Sequence, residues 1–136
     1  MIKIITIALL LLTSTSSQHN LTVEIENKEP KKGKIYLAFW DNKKEFLDNE
    51  KTKFVKIVDS DDKNIKVELP SIKSGWWAMA LLQDENNNKE MDYNFFGVPQ
   101  ESFGFSNNPK IFMAEPSFDE CKFLLQKDTT IRVNID

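Results

Sequence analysis

Between Asp84 and Pro109 the chain reads DENNNKEMDYNFFGVPQESFGFSNNP, and Asp84, Asn86, Asn88, Asp92 and Asn94 fall on every second residue with one gap. Side-chain oxygens at that spacing let one tight loop turn several donors inward, which is what a hard divalent cation requires. Asp84 and Asp92 would supply charge, Asn86 and Asn88 neutral oxygens, and the backbone carbonyl near Glu90 a further ligand, with Glu101 closing the shell from the next loop. No His or Cys lies nearby, so the donor set suits calcium and not zinc or copper. Few carboxylates imply weak binding, in the range of about 0.1–1 mM at which extracellular modules work. Lys89 stands where calcium loops place Gly, and its charge opposes a metal. Asn88 tolerates a left-handed backbone, so the loop is expected to bend one position early. An EF-hand is excluded, because its twelfth position holds Phe95 in place of a bidentate Glu and no helices flank the loop. The competing reading of these residues is plain turn chemistry, with Asp and Asn bonding to their own backbone.

The aromatics of the same stretch form a second candidate surface. Tyr93, Phe95, Phe96, Phe103 and Phe105 lie among Gly97, Pro99 and Gly104. That is too much apolar surface for a free loop, so it either folds back as a lid over one edge of the domain or presents a ligand surface. Adjacent Trp76 and Trp77 must point to opposite faces of a strand, one into the core. Trp77, Tyr93, Phe103 and Phe105 are therefore the candidate ligand-binding residues, and an exposed ring beside Asn-rich turns suits stacking on a sugar. A carbohydrate-binding domain is the alternative to a calcium-holding module.

Catalytic signatures are incomplete. Glu101, Asp92, Asp119 and Glu120 offer carboxylates for a small glycoside hydrolase, whose pairs need a separation of about 5–9 Å. The chain has no HExxH and no GxSxG. Its one His, His19, lies close to the N-terminus, Cys121 has no evident base, and Ser106 in GFSNN reads as a turn cap. The expectation is a protein that is not an enzyme.

The elements that must position these residues begin after a leader. Lys3 precedes the apolar run Ile4 to Leu12 and the small polar tract Thr13 to Ser17, the order of a secretory signal peptide spanning residues 1–17. The run is shorter than the roughly 20 apolar residues of a permanent anchor. No Cys follows it to carry a lipid, so export to the periplasm or beyond is expected, with Gln18 first in the mature chain. Residues 18–136 then suffice for one domain. Lysines are scattered among carboxylates in a chain of net charge −3, and the short basic KEPKKGK reads as a solvated turn, which argues against nucleic acid. A single Cys121, in the apolar CKFLL, excludes an intramolecular disulfide and reads as core.

Leu21, Val23 and Ile25 alternate with Thr22, Glu24 and Glu26, a half-buried strand. KIYLAFW (34–40) and WWAMALL (76–82) are apolar on both parities, as covered strands are. FVKIV (54–58) and NIKVEL (64–69) flank the turn SDDKN, and CKFLLQ (121–126) and IRVNI (131–135) are expected to form a closing hairpin. Only 42–50 has helical character, one or two turns. About seven strands with no long helix predict an all-β fold, a single β-sandwich of immunoglobulin or transthyretin type with a long Asn-, Gly- and aromatic-rich loop.

These residues resemble the DUF2141 family of small exported bacterial β proteins. Its pattern runs from Leu-Pro, Gly and aromatic-Ala into Asp-x-Asn-x-Asn-Gly-x-x-Asp, then Gly-x-Pro-x-Glu and Gly-Phe-Ser-Asn-Asn. Leu69, Pro70, Gly75, Trp77 and Ala78 fit the first part and Asp84, Asn86, Asn88 and Asp92 the second. Gly97, Pro99, Glu101, Gly104, Phe105, Ser106, Asn107 and Asn108 fit the third. The resemblance implies a fold and an exported location and brings no reaction with it. The expected partner is an extracellular or cell-envelope ligand, bound by a monomer.

Overall fold

The computed structural model describes residues 15–93, 95, 97 and 99–135. The expected leader lies mostly outside that range, as do Asn94 and Phe96. Alternation in the sequence becomes strands: β1 (Gln18–Asn27), β2 (Lys34–Trp40), β3 (Phe54–Asp59), β4 (Asn64–Lys73), β5 (Gly75–Asp84), β6 (Phe103–Phe105), β7 (Phe123–Leu125) and β8 (Thr129–Ile135), with a short α1 (Phe118–Cys121) and a single 3-10 turn at Asn49–Lys51. One sheet has the order β4-β1-β8. The other runs β3-β2-β5-β6, and β7 also pairs with β5. The two sheets pack as an all-β sandwich.

Inward residues interlock between the sheets. Leu21, Val23 and Ile25 of β1, Ile35, Leu37 and Phe39 of β2, Trp77, Met79 and Leu81 of β5, and Val133 and Ile135 of β8 are all buried in one cluster. Each fully buried aliphatic side chain of this kind contributes about 1.5–3 kcal/mol. A second cluster lies on the far side of the β5 sheet. There α1 lays Phe118 and Cys121 on Ala78, with Phe46 and Phe105 alongside. Phe46 meets Trp40 edge-on at 5.5 Å and Phe118 at 5.8 Å. A capping box starts α1: Glu120 N–H donates to Ser117 Oγ at 3.3 Å, and Ser117 N–H donates to the Glu120 carboxylate at 2.8 Å.

Two expectations about the C-terminal part are corrected. Cys121 ends the helix α1 and is not a strand residue. The last two strands form no hairpin: β7 pairs antiparallel with β5, and β8 pairs parallel with β1 in the other sheet. Between them the turn 126–128 carries the chain across the sandwich. Leu125 and Val133 are both fully enclosed, each reaching the core from its own sheet.

On one side the sandwich is nearly shut. β6 approaches β8 so closely that a Cβ on Gly104 would stand 2.3 Å from the carbonyl oxygen of Asn134. A residue with a side chain does not fit there.

Candidate functional site

The Asn-rich loop leaves β5 at Asp84, whose side chain is completely buried. Its Oδ1 accepts the N–H of Asn88 at 3.2 Å and its Oδ2 the N–H of Lys89 at 2.7 Å. Asn86 Oδ1 accepts the same Asn88 N–H at 3.1 Å, and Asn88 Oδ1 accepts Glu90 N–H at 3.0 Å. The carboxamide nitrogens of Asn86 and Asn88 then converge on Asp92, donating to its two oxygens at 2.5 and 2.7 Å. Glu101, only 6% exposed, closes the loop from the next segment: one oxygen accepts Glu85 N–H at 3.1 Å and the other Asp92 N–H at 3.4 Å. Burial pushes the Glu101 carboxyl above its usual range, and the charges of Asp92 and Asp84 add to this while the two N–H donors pull it back. Asp84, Asn86, Asn88, Asp92 and Glu101 are thus one connected network. The Glu90 side chain is exposed and outside it.

The turn does not bend at Asn88 as expected. Asn87 and Lys89 take the left-handed backbone, at φ 61° and 65°. Lys89 adopts the conformation for which calcium loops use Gly, at a cost of about 1–2 kcal/mol relative to glycine's freedom. Each Asp84 oxygen accepts one N–H and keeps a lone pair. Asn86 and Asn88 would have to swing their amide groups away from Asp92 to face a cation with oxygen. Among the described residues no group of three or more His, Cys, Asp or Glu side chains is arranged to hold a metal ion.

The aromatic candidates separate. Trp77 is buried at 6% exposure, with its indole N–H on the Lys73 carbonyl at 2.9 Å and Phe54 edge-on at 5.7 Å. It is a core residue and no stacking platform. It shares strand parity with Met79 and Leu81, and the ring that faces solvent is Trp76, 47% exposed, with the Lys122 ammonium 4.9 Å above it. Tyr93 is 57% exposed beside its bridge to Pro99. Phe103 and Phe105 are half-buried and meet edge-on at 5.9 Å.

What the residue types did not announce is the role of Ser106, Asn107 and Asn108. The Ser106 hydroxyl accepts Met79 N–H at 2.9 Å and donates to the Cys121 carbonyl at 2.6 Å. Asn107 donates to the carbonyls of Glu120 and Lys122 at 3.2 and 2.7 Å. Asn108 donates to Arg132 O and accepts Asn134 N–H, and both asparagines have left-handed backbones, φ 67° and 47°. Three consecutive side chains thereby clamp β5, α1 with β7, and β8 together. The adjacent asparagines were the available signal, since Asn enters the left-handed region more readily than most residues with side chains.

A family model described as "Uncharacterized protein conserved in bacteria (DUF2141)" matches residues 23–132. The chain belongs to the DUF2141 family. The matched span runs from the middle of β1 to the middle of β8 and so takes in both sheets, the Asn-rich loop and the clamp. No curated protein and no solved structure matches the chain. In this DUF2141 chain the carboxylates considered for hydrolysis are engaged elsewhere. Asp119 is held by Lys43 and Lys122, Glu120 by the capping box, and Asp92 by the two carboxamides.

Proposed function

We propose that this chain is an exported β-sandwich binding module whose Asp84–Asp92 loop takes up calcium weakly, and that it is not an enzyme. The observation that carries the reading is Lys89: its backbone is left-handed at φ 65° and its N–H lies on Asp84 Oδ2. The loop therefore already wraps around in the sense a calcium loop needs, in spite of the missing glycine. Export rests on the order of charge, apolar run and small residues before Gln18. No helix among the described residues is long and apolar enough to cross a membrane.

Thermal unfolding in chelator, and then across calcium up to several millimolar with magnesium as control, tests the metal. A ligand that binds only the folded state raises the midpoint, by about 1 kcal/mol of stability when it exceeds its dissociation constant fivefold. The expected result is a calcium-selective rise that Asp92→Ala removes. A midpoint indifferent to calcium would leave a structural turn.

A carbohydrate-binding role has one specific point in its favour, the half-exposed Trp76 ring. Glycan-array signal lost in Trp76→Ala would support it, and signal unchanged by that substitution would remove it.

A further inference from the structure

Strand β3 stands at the end of its sheet, yet the residues on its outer face, Val55 and Ile57, are apolar and half exposed. Edge strands are normally shielded by charges, prolines or bulges, or kept very short. In β3, FVKIVD, Phe54 and Val58 pack against the core while Val55 and Ile57, on the opposite face, are each 49% exposed. Lys56 is the single charge between them, and the strand keeps an unbroken register with β2 from Phe54 to Asp59. The outer face continues the apolar character across the sheet. Ile57 lies in a row with Tyr36, Leu82 and Phe103, and a parallel row begins at Val55.

We propose that β3 pairs antiparallel with β3 of a second copy of this chain, across a two-fold axis through Lys56. The reason for a second copy is that KFVKIVD complements itself about that residue. In this register Phe54 faces the partner's Val58 on the core side, and Val55 faces the partner's Ile57 on the outer side. Lys53 faces the partner's Asp59 at both ends. Centring the axis on Val55 sets Phe54 against the partner's Lys56, and centring it on Ile57 sets Val55 against the partner's Asp59. Only the Lys56 register matches apolar with apolar and positive with negative. Lys53 already has Asp41 and Glu45 at 3.5 and 3.4 Å, and Asp59 holds Lys34, so each end becomes a mixed-charge network. The paired sheets also join their outer apolar rows into one band. The unfavourable element is Lys56 facing the partner's Lys56 on the axis, two exposed ammonium groups that repel.

That repulsion supplies the test. Sedimentation equilibrium of the purified protein up to millimolar concentration is compared with Lys56→Glu alone and with an equal mixture of the two. The mixture sets Lys against Glu on the axis, so its heterodimer is expected to be about tenfold tighter than either homodimer. Ile57→Lys is expected to be monomeric with its circular dichroism unchanged. Monomers throughout, the mixture included, would overturn the proposal. So would a dimer whose affinity in the mixture equals that of the homodimers, which would place the contact on another surface.

Discussion

The carboxamide oxygen of Asn108 accepts the backbone N–H of Asn134 at 2.8 Å, while its amide donates to the carbonyl of Arg132 at 3.0 Å. One side chain thus fills the ladder position that another strand would take on the edge of β8. With β6 backbone pressed on β8 at Gly104, this shuts one side of the sandwich, whereas β3 and β4 remain the open ends of their sheets. The motif that most resembles a family signature is therefore structural, and the loop before it is where a ligand reading remains.

The clamp makes a stability prediction. Ser106→Ala leaves Met79 N–H and the Cys121 carbonyl without this buried partner and should cost about 2–4 kcal/mol in chemical denaturation. Gly104→Ala should cost at least as much, because its Cβ forces β6 away from Asn134. A loss below about 0.5 kcal/mol in both would show that the clamp is not holding the sheets.

Lys89→Gly should stabilise the protein by about 0.5–1 kcal/mol, since glycine relieves the left-handed backbone and gives back part of the gain as unfolded-state entropy. Asn87→Gly should gain less, because Asn tolerates the same region. If the loop holds calcium, Lys89→Gly also tightens it by removing a cation beside the site. Equal midpoints for the two variants in denaturant would contradict the strain argument.

Burial pushes the Cys121 thiol up to about 12, with the neighbouring Glu120 charge adding to it. The native protein should therefore resist a thiol-specific disulfide reagent at neutral pH and react only as fast as it opens. Complete labelling within seconds in native buffer would count against a closed α1 layer.

Lys43 and Lys122 hold the Asp119 carboxyl below its usual range of about 3.8. A depressed folded value means stability that is fully present above the unfolded value and lost as pH falls through the folded one. Acid titration of the unfolding midpoint should show Asp119→Asn with a shallower decline than wild type below about pH 4. Parallel curves would mean that this exposed pair contributes nothing to folding.

Much of the sandwich was legible because burial repeats every second residue in Leu21–Ile25 and Val67–Leu69. The choice between Trp76 and Trp77 could also have been read: Ala78 and Ala80 share parity with Trp76, while Met79 and Leu81 share it with Trp77, and the bulkier set faces the main core. The expected final hairpin failed for a different reason. Parallel pairing of Leu21 with Thr129 joins residues at opposite ends of the sequence and leaves no local mark, while β7 is too short for its pattern to name a partner. The loop's oxygen donors were foreseeable from spacing. That Asn86 and Asn88 would aim their nitrogens at Asp92 was not, because amide orientation follows from the surrounding hydrogen bonds.

The parallel ladder between β1 and β8 has a mechanical consequence. Its register runs from Leu21 with Thr129 to Asn27 with Ile135, so the chain enters β1 at one pole of the sandwich and leaves β8 at the other. Tension applied at those two points would load the ladder lengthwise, in shear, and its hydrogen bonds would have to give way together instead of unzipping one by one. A protein tethered at both points would resist extension best along the line on which it is pulled.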